Sequence, residues 1–376
     1  MTALLLFLAS AALCGMIVIL LSNLLTFPDL RDSNASGIVA SVSVLVPARN
    51  EAAVIGPTVR SLLQQSYSYM EILILDDSSE DGTDRAALEA SGKDNRLRVF
   101  KGKSIPGGWL AKNWACHQLA GEASGEIIVF ADADVRWRPR ALAALLREMG
   151  RSGADMLAIM PSQETVSWPE RLCVPLMAFA IHAYLPAVAV HRTRYPLLAA
   201  ANGQCIAFRR TAYNSLGGHA SVRDSILDDI GLARRAKRAG LSLRMAEANG
   251  LITCRMYADW RTVREGYAKN ILAGFGGAAG LIAATVFHWV VFLVPWGLLG
   301  LGFTGAAVPW HPYWALILVC AGIIVRALTA WRTGQRVGDA PLLPIAVLLM
   351  TAIAAQSLWW RWRYGGPLWK GRRAVP

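Results

Sequence analysis

Two long stretches of this 376-residue sequence contain no charged side chain. Residues 2–28 have no Asp, Glu, Lys or Arg, and neither do residues 271–325. Stretches of this length can cross the roughly 30 Å of bilayer hydrocarbon. The first also lacks the basic start and the small-residue cleavage site of a secretory signal peptide. We therefore expect a retained anchor at residues 1–27 and about three transmembrane helices within residues 271–362.

Acidic residues are scarce beyond residue 271. This part carries eight Lys or Arg and one acid, Asp339, so +7 of the net charge of +12 lies beside the apolar stretches. Basic residues next to spans mark the cytoplasmic face and its anionic lipids. We expect a multi-pass protein of the cell (inner) membrane with a cytoplasmic domain at residues 40–270, a basic tail at 363–376 and no nucleic-acid partner. Whether the tail lies beside that domain depends on an even or odd number of C-terminal spans, which the sequence leaves open.

The six cysteines are scattered, without a C-x-x-C pair. This spacing excludes a zinc finger and favours buried or inert thiols in a reducing compartment.

The central part of the chain predicts an α/β domain. Short apolar runs rich in β-branched residues alternate with segments of helical periodicity, which indicates a largely parallel sheet. The strands expected are 41–46, 70–75, 97–100 and 126–130, and the helices are 51–65, 111–119, 139–149 and 228–240. Ligands bind beyond the carboxyl ends of strands in such sheets.

Acidic clusters follow two of these strands, at Asp76-Asp77 and at Asp132-x-Asp134. Their shared edge favours a binding site over solvated loops. Hard carboxylate oxygens suit Mg²⁺ or Mn²⁺, which share the oxygens of a diphosphate and stabilise it as a leaving group. A third cluster, Asp228-Asp229, opens a helix and could either cap it or act as a general base.

Four motifs resemble the family 2 glycosyltransferases of GT-A fold, in order and in spacing, over roughly residues 41–270. They are Val46-Pro-Ala-Arg-Asn-Glu51, Leu75-Asp-Asp-Ser-Ser-Glu-Asp-Gly-Thr83, Asp132-Ala-Asp134 and Asp228-Asp229.

The resemblance implies a donor site for a nucleotide-sugar, with UDP-hexose as the expected donor. The residues expected to line it are Pro47, Arg49, Glu51, Asp76, Asp77, Lys112 and Asp132. Asp77 or its neighbour Asp76 would contact the base, and Asp132 would face the sugar or ribose. Ala111 departs from the glycine that often precedes the lysine in the family.

The resemblance also implies the catalytic groups. Asp134 would ligate the divalent metal, and Asp229, with Asp228 beside it, would be the catalytic base. Members of the family invert the anomeric centre, so a β-linkage from an α-linked donor is implied.

Two further segments resemble the branch of hopene-associated glycosyltransferases and carotenoid glucosyltransferases. They are Pro106-Gly-Gly-Trp-Leu-Ala-Lys-Asn-Trp-Ala115 and Asn202-Gly-Gln-Cys205. The acceptor-side residues implied are Trp109, Asn202, Gly203, Cys205 and Lys269, although Trp109 and Trp114 could equally be core aromatics.

One family motif is missing. Processive members carry Gln-x-x-Arg-Trp beyond the base, whereas this chain has Arg264-Glu-Gly-Tyr-Ala-Lys-Asn270, in which Lys269 supplies a cation without a following Trp. We therefore expect transfer of a single sugar.

The acceptor expected is a lipid, because residues 172–190 form an apolar stretch inside the catalytic region that favours an element lying on the membrane over a buried helix. A carotenoid or hopanoid-type polyisoprenoid is preferred. The alternatives are polyprenyl phosphate, a glycerolipid, and a catalytically inactive membrane scaffold.

Overall fold

The computed structural model describes residues 2–32, 39–304, 312–366, 368–369 and 372–373, and it divides into two compact units. The helical unit comprises the chain up to residue 26, residues 165–187 and the chain from residue 257 onward. The sheet unit comprises residues 27–164 and 188–256. Residues 165–187 and 257–270, which lie within the expected domain at 40–270, pack in the helical unit, and the bounds of that domain stay a prediction.

Twelve strands and fifteen α-helices make up the described residues. The strands are β1 (Val42–Ala48), β2 (Met70–Asp76), β3 (Leu97–Lys101), β4 (Ile127–Ala131), β5 (Val135–Trp137), β6 (Met156–Met160), β7 (Ser162–Gln163), β8 (Cys205–Arg209), β9 (Leu243–Glu247), β10 (Ile252–Cys254), β11 (Leu368–Trp369) and β12 (Arg372–Arg373). The helices are α1 (Thr2–Thr26), α2 (Ala52–Leu63), α3 (Thr83–Ser91), α4 (Ala111–Glu122), α5 (Ala141–Ser152), α6 (Trp168–Cys173), α7 (Pro175–Tyr184), α8 (Ala187–Arg192), α9 (Arg210–Ser215), α10 (Asp228–Arg238), α11 (Trp260–Gly274), α12 (Ala278–Phe292), α13 (Val294–Phe303), α14 (Pro312–Arg332) and α15 (Leu343–Tyr364).

The sheet unit is built on a seven-stranded sheet of order β3-β2-β1-β4-β8-β6-β9. The first four strands are parallel, as the alternation of strands and helices predicted. Strand β8 runs antiparallel to both of its neighbours, so the sheet is mixed. The central strands are buried on both faces, which explains their continuous runs of Val, Ile and Leu.

The carboxyl ends of β1, β2 and β4 meet at one edge of this sheet. The pairing of β1 with β2 ends at Ala48 and Asp76, and the N–H of Asp77 donates to the carbonyl of Ala48 at 2.8 Å. Strand β4 ends at Ala131, directly before Asp132. The two acidic clusters that follow β2 and β4 therefore share the ligand edge, as expected.

Among its described residues, the helical unit contains four helices that are long and apolar enough to cross a membrane. They are Ala3–Thr26, Ala278–Gly302, Tyr313–Arg332 and Val337–Tyr364. These correspond to the expected anchor and the three expected C-terminal spans. The second is interrupted at Leu293, two residues before Pro295, where α12 gives way to α13. Four of the six cysteines are buried, whereas Cys14 and Cys320 are exposed on α1 and α14.

The apolar stretch at 172–190 forms short helices rather than one continuous element. In α7, Phe179 and Ala183 are buried in a cluster with residues of α1 such as Leu20. Asn23 of α1 is fully buried, and its side chain donates to the carbonyls of His182 and Leu185 at 2.9 and 2.8 Å. Helix α7 is thus held by both apolar packing and a polar clamp to α1.

Candidate active site

A short turn, residues 202–204, brings together elements that are far apart in the sequence. The N–H of Gly203 donates to Oδ2 of Asp229 at 2.8 Å. The N–H of Asp132 donates to the carbonyl of Gln204 at 3.1 Å. Since the turn leads directly into β8, which pairs with β4, the sheet itself fixes Asp132 and Asp229 near each other.

Both carboxylate oxygens of Asp229 accept hydrogen bonds from the backbone. Its Oδ1 accepts from the N–H of Ile230 at 2.8 Å, while Oδ2 accepts from Gly203. Burial and the neighbouring charge of Asp228 together raise the pKa of Asp229 to about 7, against the opposing effects of the hydrogen bonds from Ile230 and Gly203 and of the charge of Lys112. A carboxylate with a pKa near neutrality can accept a proton at physiological pH and later release it.

Asp228, in contrast, is held in its ionised state. Burial opposes its ionisation, but Lys112 and His219 hold the pKa of Asp228 at about 2. Nε2 of His219 lies 3.5 Å from Oδ2 of Asp228, and Nδ1 of His219 lies 2.8 Å from the hydroxyl of Tyr213. His219 and Tyr213 are buried, so the adjacent carboxylates occupy different environments.

Lys112, on the first turn of α4, is the cation of the site. Its Nζ donates to Oδ1 of Asp132 at 2.7 Å, and Asp132 and Asp228 hold the pKa of Lys112 well above its usual range although burial opposes this. A Cβ at Gly203 would lie 3.6 Å from Lys112 Nζ and 3.4 Å from Asp229 Oδ2. The glycine therefore leaves open the space between the cation and the candidate base.

Asp134 carries a carboxylate oxygen without a donor. Its Oδ1 is buried and accepts no hydrogen bond from the described residues. Burial raises the pKa of Asp134 to about 6, with contributions from the charges of Asp132 and Glu51. An uncompensated oxygen among acids fits a hard cation. In the described ranges no cluster of three or more His, Cys, Asp or Glu side chains suits a metal.

The thiol of Cys254 lies behind Asp134. Cys254 hydrogen-bonds to the Asp134 carboxylate, and Nε2 of Gln204 lies 2.9 Å from the Cys254 sulfur. Oε1 of Gln204 accepts from Gln163 at 2.8 Å and from Asn202 at 3.2 Å. Buried side chains of the turn thus orient Asp134 through Cys254.

The expected nucleotide pocket is stabilised mainly through backbone contacts. Nη1 of Arg49 donates to the carbonyl of Asp77 at 2.9 Å and lies 3.8 Å from its Oδ2. Asp76 accepts from the N–H of Ser79 at 3.1 Å, which shapes the loop after β2. The N–H of Glu51 donates to Thr83 at 2.8 Å. Pro47 lines a small cavity together with Lys112, Asp132, Gly203, Asp228 and His219.

The expected acceptor-side residues have diverse surroundings. Trp109 packs on Trp114 and His117, with ring centroids 5.0 Å from each. Asn202 is buried within the turn, and the Cys205 side chain is fully buried in the core, and their acceptor-side roles stay predictions. Lys269 lies on α11 in the helical unit, and its role stays a prediction.

Sequence reasoning missed four residues of the site. The contacts that give these residues their place in the site join distant parts of the sequence, since His219 reaches Asp228 nine residues on and Gln204 reaches Cys254 fifty residues on. Tyr213 in turn contacts His219. No spacing rule connects a buried histidine or thiol to a remote carboxylate, so no usable signal for these residues exists in the sequence.

The chain is similar in sequence to known glycosyltransferases. Residues 43–217 match the family described as Glycosyl transferase family 2. The 4,4'-diaponeurosporenoate glycosyltransferase of Staphylococcus haemolyticus (strain JCSC1435) is 26% identical over 277 residues, which cover 71% of this chain and 70% of the relative. Its namesake in Staphylococcus aureus (strain USA300) is 25% identical over 352 residues, covering 89% and 88%.

A solved structure shares the fold over nearly the whole chain. It is the mannosyltransferase PcManGT from Pyrobaculum calidifontis in complex with GDP-Man and Mn²⁺, with a TM-score of 0.55 and 18% identity. The match covers 94% of this chain and 99% of that one.

Proposed function

Because this chain is a glycosyltransferase that carries a family 2 domain with the GT-A fold, as its motifs predicted, we propose that it moves one hexose from a nucleotide-sugar to a polyisoprenoid lipid. The observation that carries the proposal is the convergence of Lys112, Asp132, Asp134 and Asp229 at the ligand edge of the sheet. A cation, a candidate metal ligand and a candidate base at one edge meet the needs of glycosyl transfer.

The donor would bind across the ends of β1, β2 and β4. Pro47, Arg49 and Glu51 would line the nucleotide, and Asp77 or Asp76 would contact its base. Lys112 would offset the charge of the diphosphate, and Asp132, already bonded to Lys112, would face the sugar or ribose.

Asp134 would hold a divalent metal, Mg²⁺ or Mn²⁺, through its donor-free Oδ1. When bound, such a metal neutralises charge on a departing diphosphate. The solved mannosyltransferase is a complex with both GDP-Man and Mn²⁺, which supports the same use here.

Asp229 would act as the general base. Its carboxylate would accept the proton of the acceptor hydroxyl while that oxygen attacks the anomeric carbon opposite the diphosphate, so the configuration inverts. The hydrogen bond from Gly203 fixes the carboxylate, and Asp228 remains ionised beside it.

The acceptor would be a membrane lipid. Four apolar helices in the same chain could hold the enzyme in the cell membrane, with the sheet unit in the cytoplasm where nucleotide-sugars occur. The relatives' names specify diaponeurosporenoate, which is a carboxylate. A carboxylate acceptor is therefore the second candidate, and transfer to it would give an ester instead of an acetal. Polyprenyl phosphate and glycerolipids remain alternatives.

The first test compares total lipids of cells with and without this gene by mass spectrometry. Loss of one hexosylated polyisoprenoid, with accumulation of its aglycone, would support the proposal. Mild alkali then separates the two acceptor chemistries, since an ester is cleaved and an acetal survives. Loss of a polyprenyl-phosphate sugar or of a glycoglycerolipid instead would overturn the proposed acceptor.

A further inference from the structure

A surface segment of the sheet unit, residues 192–198, shows apolar side chains between arginines. Leu197 is 90% exposed and Tyr195 is 71% exposed, on the short 3₁₀ turn Pro196–Leu198 and the residue before it. Arg192 and Arg194 are exposed on the same segment. A single exposed leucine is ordinary, but an apolar tip flanked by cations is the composition of a membrane-surface element.

Hydrogen bonds to the rest of the sheet unit hold the residues that precede this tip. The ammonium of Lys237, which is only 2% exposed, donates to the carbonyls of Val190 and Thr193 at 2.6 Å each. The N–H of Met245 donates to Nε2 of His191 at 3.1 Å. A buried lysine that gives two bonds to backbone carbonyls fixes the path of the chain. The fixed path of residues 190–193 thus keeps the side chain of Leu197 exposed.

The turn itself is closed by its own backbone. The N–H of Leu198 donates to the carbonyl of Tyr195 at 3.1 Å, and the N–H of Ala199 donates to the carbonyl of Pro196 at 3.1 Å. These bonds direct Tyr195 and Leu197 outward from a compact tip.

The stretch of sequence that contains the tip has charge of one sign only. Residues 171–223 contain no Asp or Glu. The guanidinium of Arg194 lies beside Gly240, at the end of α10, where Arg238 is also exposed. Throughout the described part of the chain, Arg192, Arg194 and Arg238 have no carboxylate within ion-pair distance. Three exposed arginines without acidic partners can bind external anions.

We propose that residues 192–198, together with Arg238, dock on the headgroup layer of an anionic phospholipid bilayer. The arginines would bind lipid phosphates, the Tyr195 ring would lie at the interface, and Leu197 would enter the acyl boundary. We take the partner to be a bilayer because this segment lies close in sequence to a residue that contacts an apolar helix. Arg192 follows Ala187 by five residues, and the N–H of Ala187 donates to Asn23 of the apolar helix α1.

The inference rests on the proposed membrane attachment and on no catalytic role. The test uses the full-length chain in nanodiscs of phosphatidylcholine and phosphatidylglycerol, with a photo-crosslinking amino acid at one position at a time. Leu197 is the test position. Val18, exposed on the apolar helix α1, reports membrane attachment, and Leu88, exposed on α3 of the sheet unit, is the matched solvent control.

We expect lipid adducts at positions 197 and 18 and only background at 88, detected by mass spectrometry. An adduct at 18 with background at 197 would overturn the docking surface alone. Background at both 18 and 197 would instead overturn the membrane attachment on which it rests. A crosslink from 197 to another protein in native membranes, without lipid, would identify a protein partner and overturn the inference.

A charge variant tests the arginines separately. Arg192→Gln with Arg194→Gln should lower the adduct at position 197 about tenfold in phosphatidylglycerol nanodiscs, and should remove the difference from pure phosphatidylcholine. The control removes two exposed charges near α3, by Arg85→Gln with Lys93→Gln, and should leave the adduct unchanged. An equal adduct in both double variants would contradict the role given to phosphate binding.

Discussion

The N–H of Gly203 points at Oδ2 of Asp229, 2.8 Å away, and so connects the turn before β8 to the first residues of α10. The other carboxylate oxygen accepts from Ile230 at 2.8 Å. Both oxygens keep lone pairs for an incoming proton. The orientation of the candidate base is therefore set by backbone atoms, which most side-chain substitutions nearby would leave in place.

Asp229→Asn should reduce kcat by about a thousandfold or more, because an amide cannot accept the acceptor's proton. Nucleotide-sugar binding should change little, because the amide has nearly the same shape. Isothermal titration with the donor and a steady-state assay measure the two effects. Full activity in this variant would refute the base.

The pH dependence of kcat/KM should respond to the charged residues beside Asp229. The base must be ionised, so kcat/KM should rise with pH through about 7. Asp228→Asn removes a negative charge that raises the pKa of Asp229, so this limb should move to lower pH. Lys112→Met removes a positive charge that lowers the same pKa, so the limb should move to higher pH. Shifts in the same direction for both variants would contradict the assignment.

Gly203→Ala should lower kcat/KM by about tenfold or more, because the new methyl would lie in contact with both Asp229 and Lys112. The thermal midpoint should hardly change, since the methyl meets no atom closer than 3.4 Å. Gly121→Ala, on α4 with nothing within 4 Å of the added carbon, is the control and should keep full activity. Equal activity in both variants would show that the space beside Gly203 is not used.

Metal binding should depend on Cys254, the thiol that orients Asp134. Cys254→Ala should weaken Mn²⁺ binding in the presence of a nucleoside diphosphate by about tenfold, whereas Cys254→Ser keeps a donor and should restore most of it. Electron paramagnetic resonance of free Mn²⁺ measures this without turnover. Equal binding in the alanine and serine variants would exclude a positioning role.

Chelation tests the metal directly. Excess chelator should abolish sugar transfer by the wild-type protein, and added Mg²⁺ or Mn²⁺ should restore it. Asp134→Asn should lose both activity and Mn²⁺ binding. Undiminished transfer in chelator would remove the proposed role of Asp134.

The parallel half of the sheet could be predicted from sequence because its signals are local. The apolar runs that form β1, β2 and β4 are buried on both faces; β1 and β2 end within a motif, and β4 ends directly before one. Their shared direction then follows from the helices between them. The position of Asp76 and Asp132 at one edge of the sheet could therefore be predicted from the sequence alone.

The other half could not be predicted in the same way. Strand β8 lies between β4 and β6, although its sequence, Cys205–Arg209, has no pattern that specifies antiparallel pairing. The approach of His219 to Asp228, at 3.5 Å, is likewise specified by no local pattern in the sequence. Similarly, the apolar stretch at 172–190 has the same composition whether it lies on a membrane or packs on α1, and only tertiary contacts distinguish these cases.

The position of β8 between β4 and β6 determines when these strands can pair during synthesis. Strand β4 ends at Ala131, and its partner β8 begins at Cys205, after α6 and α7. At about 5–20 residues per second, a ribosome needs several seconds to add the residues between them. Throughout that interval β4 presents an unpaired edge, and β6 has neither of its neighbours. The nascent chain should therefore need protection by a chaperone until β8 emerges and pairs with both β4 and β6.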